Sequence, residues 1–188
     1  MKLLTVVVAI LVGTLSLAVS VTAHAADTNA PTAKLDKESS EAINLFRKAD
    51  SKMAKFFEEA AGYAIFPGIT KGAAGIGAAY GEGEVFAKGK LIGTATVTQV
   101  TLGLQLGGQE YAELIFFENE DTLNQFASGK FAMSAQVSAV LAAEGSAGNA
   151  KYQMGVMVFT IPKGGVMFEA SIGGQKFSFT PLRRMPLY

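Results

Sequence analysis

Apolar positions recur at helical spacing across residues 35–61, where Ala42, Phe46, Ala49, Met53, Phe56 and Ala60 fall three or four apart. With Ile43, Leu45 and Phe57 they cover one broad face, and Arg47, Lys48, Lys52 and Lys55 lie mostly opposite. Asp36 or Ser39 is placed to cap this helix and Gly62 to stop it. Beyond Gly62 the pattern shortens to strand-like runs punctuated by glycine. Residues 63–66 end at the turn signal Pro67-Gly68, residues 85–87 at Lys88-Gly89-Lys90, and the Thr/Val/Leu-rich run 91–106 at Gly107-Gly108. Residues 111–117 read as a further strand. Asn119 or Asp121 can cap a short helix through Leu123 and Phe126, stopped by Gly129. Residues 131–143 fit a strand and a helix equally well, and 144–150 read as a mobile loop. Three closing strands, 154–161, 166–172 and 175–180, are joined by the glycine-rich turns at 162–165 and 173–174.

The pattern predicts one α+β domain, with one long N-terminal helix, one short helix and an antiparallel sheet of seven to nine strands. So many strands in so short a chain predict a curled or barrel-like sheet. Composition then narrows the chemistry. The 188 residues are 49% hydrophobic and 17% charged, which excludes a disordered chain. Residues 1–25 have the form of a signal peptide: Lys2, an uncharged apolar run, and Ala23-His24-Ala25 as a cleavage pattern. Residues 26–34 then form a flexible lead-in, and 35–188 the domain. The whole chain carries 16 Lys+Arg, 16 Asp+Glu, one His and no Cys or Trp. Removing the leader takes Lys2 and His24 with it, leaving a net charge of −1 (16 − 1 = 15 basic against 16 acidic). An exported, periplasmic or membrane-associated protein without His or Cys has no imidazole or thiolate catalysis, no thiolate metal site and no disulfide framework. Balanced charge speaks against nucleic acid.

Three constellations remain. Gly72, Gly75, Gly77, Gly81 and Gly83 crowd one strand-like stretch, and from Gly75 onward they and Ala79 alternate onto one face. A face without side chains admits a neighbouring backbone or ring, whereas a dinucleotide fingerprint would need a following helix that is missing. Among the carboxylates, Glu82 and Glu84 share a strand face, Glu110 and Glu113 flank Tyr111, and Glu118, Glu120 and Asp121 precede the short helix. Paired acids serve glycoside hydrolysis at set separations, but a turn and a helix N-terminus account for these. The basic residues Arg47, Lys48, Lys52 and Lys55, beside Phe46, Phe56 and Phe57, have the composition of a helix lying on an anionic membrane. Lys71, Lys88, Lys90 and Lys163 fall in loops that extend such a patch. The same pattern also describes a helix docked on a sheet with its charged side in water.

Residues 62–72 (GYAIFPGITKG) and 73–83 (AAGIGAAYGEG) resemble the SYLF-domain family, and the similarity resumes at 103–109 (GLQLGGQ) and 162–169 (PKGGVMFE). It covers about residues 39–180. The resemblance implies a lipid-binding domain, since eukaryotic members associate with phosphoinositides and membranes and some bundle actin; bacterial members are typically exported. It implies Lys71 and the basic helix residues as lipid contacts and assigns no catalytic residue. Where eukaryotic members often carry W-S-x-P, residues 94–100 here read TATVTQV.

The sequence thus leads to a non-enzymatic, exported domain without cofactor or metal, whose partner is a phospholipid or membrane surface. Three other readings compete with it: an integral outer-membrane barrel, a hydrolase using Glu82 and Glu84, and an interaction module whose glycine face receives a partner strand.

Overall fold

Lys88 and Gly89 both take positive φ (49° and 76°), as a two-residue hairpin turn demands, and join β1 (Gly62–Ala87) to β2 (Lys90–Phe117). β5 (Val156–Pro181) runs antiparallel along the other side of β2, so β2 is central. The computed structural model describes residues 32–129, 131–133 and 137–182, the side chains of 167–173 excepted. The leader 1–25 and residues 26–31 of the lead-in lie outside the described residues.

Each of these strands is 26 to 28 residues long, several times the usual length. They fit a small domain because the ribbon folds over at mid-length. In β1 the register shifts at Phe66/Ile69 and Ala74/Ile76, and Gly75 between the latter takes φ 83°. The second arm of β1 then returns alongside the first. A Cβ on Gly81 would stand 2.8 Å from Ile69 Cγ1, and one on Gly83 would strike the Ile65 carbonyl and the Phe66 ring. The Lys88 N–H donates to the Ala61 carbonyl at 3.3 Å where the two arms meet. The glycine face at Gly77, Gly81 and Gly83 is therefore a packing face, as its lack of side chains predicts. Gly83→Val is expected to cost on the order of 3 kcal/mol by overpacking, since the obstacle is backbone, and a urea midpoint shift measures it.

The folded ribbon corrects the strand count. Pro67-Gly68, Gly107-Gly108, the 162–165 segment and Gly173-Gly174 do not turn the chain; each lies inside one continuous strand. Among the described residues five strands form the sheet, ordered β1-β2-β5-β3 with β4 also on β5. β3 (Ala132–Met133) pairs antiparallel with Lys176 and Gln175, and β4 (Ala139–Leu141) pairs parallel with residues 158–160. Residues 131–143, ambiguous in the sequence, thus contribute strand pieces to both arms of β5. The result is an α+β fold with a strongly curled, mixed half-barrel sheet, mostly antiparallel.

Its inner face holds one core, including Phe66, Ile69, Val97, Ile115, Phe117, Phe126 and Phe177. Phe66 and Phe177, from opposite arms, meet at 5.7 Å between ring centroids. α3 (Glu120–Ala127), capped as predicted by Asn119 Oδ1 on the Thr122 N–H at 2.9 Å, plugs that core with Leu123 and Phe126. The outer face of the first arms makes a second core of Tyr63, Ile65, Leu114, Phe116 and Phe159. It is covered by α1 (Ala33–Ala49) and α2 (Met53–Glu59).

The single long helix predicted over 35–61 is therefore two helices, and Asp50 is the reason. Thr32, not Asp36 or Ser39, caps α1. Asp50 is fully buried; its Oδ1 accepts from the Lys52 N–H at 3.0 Å and its Oδ2 from the Ala147 N–H at 2.8 Å. The 144–150 loop is thereby anchored, with a 3-10 turn at Ser146–Gly148, and is not the free loop its composition suggests. The Ala147 N–H, with the Lys52 amide and charge adding to it, holds the Asp50 carboxyl below its ordinary pKa against the opposing effect of burial. Such a depressed group stabilises the fold above its unfolded pKa, and that stability is lost as pH falls through the folded value. Asp50→Ala is expected to melt several degrees below wild type at pH 7, with the gap closing in acid.

Candidate functional site

At the fold-over of the ribbon the usual disposition of side chains is reversed. Along β2 the inward positions are Gln99, Thr101, Gln105 and Gln109, and the outward ones Val100, Leu102, Leu104 and Leu106. The polar residues are there to hold the bend. Gln105 Nε2 donates to the Thr101 carbonyl at 2.9 Å and to the Gly75 carbonyl at 3.2 Å, and the Thr101 hydroxyl donates to Gln105 Oε1 at 2.7 Å. Gly77 leaves the space: a Cβ there would collide with both side chains.

The outward residues are left in solvent. Ile76, Val100, Leu102, Leu104, Leu106 and Val166 are 63–86% exposed. The backbone register joins them into one patch: Ile76 lies opposite Leu102, Ala78 opposite Val100, Ala74 opposite Leu106, and Gly108 opposite Val166. Val100 to Leu106 alone extends about 20 Å along the strand. Scattered exposed aliphatics are ordinary, but a contiguous patch of this kind marks an interaction surface. Among the described side chains no charge interrupts it. Residues 72–81 and 91–109 contain no Asp, Glu, Lys or Arg, and 164–175 contain only Glu169. Charges stand at its borders: Lys163 Nζ pairs with Glu110 Oε1 at 3.0 Å, and the Tyr80 hydroxyl donates to Glu82 Oε1 at 2.8 Å.

The residues singled out from the sequence are distributed differently. Phe46 is fully buried, and Phe56 and Phe57, partly buried, pack on Phe116 at 5.7 and 5.0 Å, so the aromatic side of the helices packs against the sheet. Arg47, Lys48, Lys52 and Lys55 are exposed. Arg47 lies 4.5 Å over the Phe57 ring, and Lys55 pairs with Glu59 at 3.7 Å. Exposed Lys88 and Lys90, in the hairpin turn, share their end of the molecule. That end is roughly 30 Å from the fold-over, some ten residues along the strands. Lys71 points inward and is buried, while Lys163 lies at the border of the patch. The eight basic residues thus do not form one surface. Of the glycine motif, Gly72 and Gly75 have nothing within 4 Å of a Cβ position, Gly75 serving the bend through its φ.

The carboxylates are equally dispersed. Glu82 is exposed, whereas Glu84 is fully buried beneath α1, where burial raises its pKa. Glu110 faces solvent, and strand alternation places Glu113, three residues on, inside the half-barrel. Glu113 is 2% exposed and accepts from Gln175 Nε2 at 3.0 Å. Burial pushes its carboxyl up to about 7 against the lowering effect of that hydrogen bond. Among the described residues no three His, Cys, Asp or Glu side chains converge as a metal would require.

Comparison with known protein families and with characterised proteins finds no match to this chain. The exposed patch is also what the sequence pattern did not single out. Its signal was legible: large aliphatics alternate with Gln and Thr through a stretch free of charge. The helix, with its basic stripe and aromatic residues, is the more conspicuous amphipathic element.

Proposed function

We propose that this protein is a non-enzymatic, exported SYLF-type domain that binds phospholipid membrane surfaces, and that the fold-over of its long-stranded sheet is the contact. The observation that carries this reading is the exposed, charge-free patch of Ile76, Val100, Leu102, Leu104, Leu106 and Val166. Side chains of this kind gain by leaving water for the headgroup–acyl boundary, about 5–10 Å deep. Insertion there is driven by apolar area, with Lys/Arg attraction to phosphate a secondary contribution. The basic residues near Lys52 and Lys88 would face away from a bilayer met by the bend.

The inverted alternation, polar inside and apolar outside, is also that of a membrane-spanning barrel. Here, however, the outer face at the other end of the sheet lies under α1 and α2, and among the described residues six of the exposed large aliphatics gather at the bend while Leu45, Leu141 and Met154 stand singly elsewhere. Surface insertion accounts for that distribution and spanning does not. No helix among the described residues is long and apolar enough to cross a membrane.

Flotation of the mature protein with phosphatidylcholine vesicles, with and without phosphatidylglycerol, tests this function. Binding to both, retained in about 0.5 M salt, is expected, because insertion is not screened as ion pairing is. Charge reversal of Lys48, Lys52 and Lys55 together is expected to leave the neutral-vesicle isotherm within about twofold. Failure to float with either vesicle would end the proposal.

A further inference from the structure

Inside the half-barrel lies a cavity of about 390 Å³, within the range of small-molecule sites. Glu113 and Gln175 stand in its polar lining beside Gln99, Gln109 and Thr160; Met133, Val137 and Val158 form its apolar side, and exposed Gly164 and Gly174 lie at its rim. The Glu113 and Gln175 side chains are buried and incompletely satisfied. Gln175 Nε2 donates to Glu113 Oε2, but Glu113 Oε1 and Gln175 Oε1 have no hydrogen-bond partner among the described residues. Buried polar atoms are nearly always paired, so two orphaned oxygens side by side are a specific demand for a donor.

We propose that this cavity binds a small primary amine as its ammonium ion, the N–H groups reaching Glu113 Oε1 and Gln175 Oε1 and the carbon chain lying along Val158 and Met133. An ammonium offers donors only and these two oxygens are acceptors, so the groups match without rearrangement. It also brings the positive charge that lets a buried carboxyl ionise, whereas a neutral donor would leave that charge uncompensated. The other ionisable groups lining the cavity are Lys71 on β1 and Glu110 and Tyr111 on β2; Lys71 and Tyr111 already have partners of their own. The described residues of the 131–139 segment add only Met133, Val137 and Ala139. This site is independent of the membrane contact on the outer face.

The probe is n-butylammonium chloride, titrated into the full mature protein by calorimetry at matched ionic strength. With the Glu113 pKa near 7, affinity at pH 8 is expected to exceed that at pH 5.5 about 30-fold, following the ionised fraction. Binding at pH 7 is expected to release roughly half a proton, a readout that needs no variant. Glu113→Gln is expected to abolish the pH dependence and weaken binding at least tenfold. n-Butanol, a neutral donor of the same chain length, and tetramethylammonium, a cation without N–H groups, serve as controls. Equal binding of either control, absence of proton release, or no binding of butylammonium would each overturn the proposal.

Discussion

Replacing Leu102 and Leu104 together by Asp is expected to strip the protein from lipid vesicles while leaving its fold unchanged. Both side chains stand in solvent, 63% and 67% exposed, on the face of β2 that no described element covers. Their substitution therefore removes little packing, and the melting temperature is expected to stay within about 2 °C of wild type. Each Leu contributes about 1.5–3 kcal/mol if fully buried in the boundary, and each Asp adds a charge that resists entry. A drop of at least about a hundredfold in the vesicle partition coefficient is the expected reading. Lys52→Glu serves as the control at the far end. Were the double variant to bind as wild type does, the bend would not be the contact.

The second large effect is on stability. The Glu113 carboxyl titrates at its ordinary 4.5 when unfolded and at about 7 when folded. Below pH 4.5 both states are protonated and the residue contributes nothing. Between 4.5 and 7 the unfolded state gives up its proton while the folded state keeps it, so stability falls with rising pH. Above 7 the deficit is constant at about 3 kcal/mol, since each tenfold change in proton affinity is worth about 1.4 kcal/mol. Glu113→Gln retains an acceptor for Gln175 Nε2 and has no charge to bury. It is expected to be more stable than wild type by roughly 3 kcal/mol at about pH 8 and equal to it at about pH 4. Urea midpoints at the two values measure this, and parallel pH profiles for the two proteins would show that Glu113 is not held neutral by its burial.

Glu113 on the inner face and Leu104 on the outer one also show how far the sequence could be read. The α+β class, the curl, the Lys88-Gly89 hairpin and the Asn119 cap all come from local patterns that act within a few residues. The glycine face at Gly77, Gly81 and Gly83 was legible for the same reason, since alternation puts all three on one side. A glycine pair, by contrast, does not have to reverse the chain. A β-strand can pass through Gly107-Gly108 or Gly173-Gly174 and merely bend, and only the pairing of Leu106 with Phe168 or Gly108 with Val166 decides between the two. The break at Asp50 was hidden because its partner, Ala147, is 97 residues away.

The candidate site was obscured by the same kind of long-range fact. Phe46, Phe56 and Phe57 on an amphipathic helix satisfy the description of a membrane anchor and of a core helix equally. Phe56 and Phe57 pack against Phe116, and no helical wheel contains Phe116. Conversely, Leu102, Leu104 and Leu106 look like core residues in a one-dimensional pattern. They become a surface only because the inner side of the bend is filled by Thr101 and Gln105, which bond to each other while Gln105 also holds Gly75, leaving the aliphatics outside.

Absence of Cys and Trp from the chain makes the proposed membrane contact directly testable. An environment-sensitive fluorophore is placed on a single introduced cysteine, Leu104→Cys or Lys52→Cys, and mixed with vesicles bearing a quencher in the acyl region. A blue shift and quenching at position 104, with neither at position 52, is the predicted result. Quenching at 52 with an unshifted signal at 104 would contradict the account and return the contact to the basic helix.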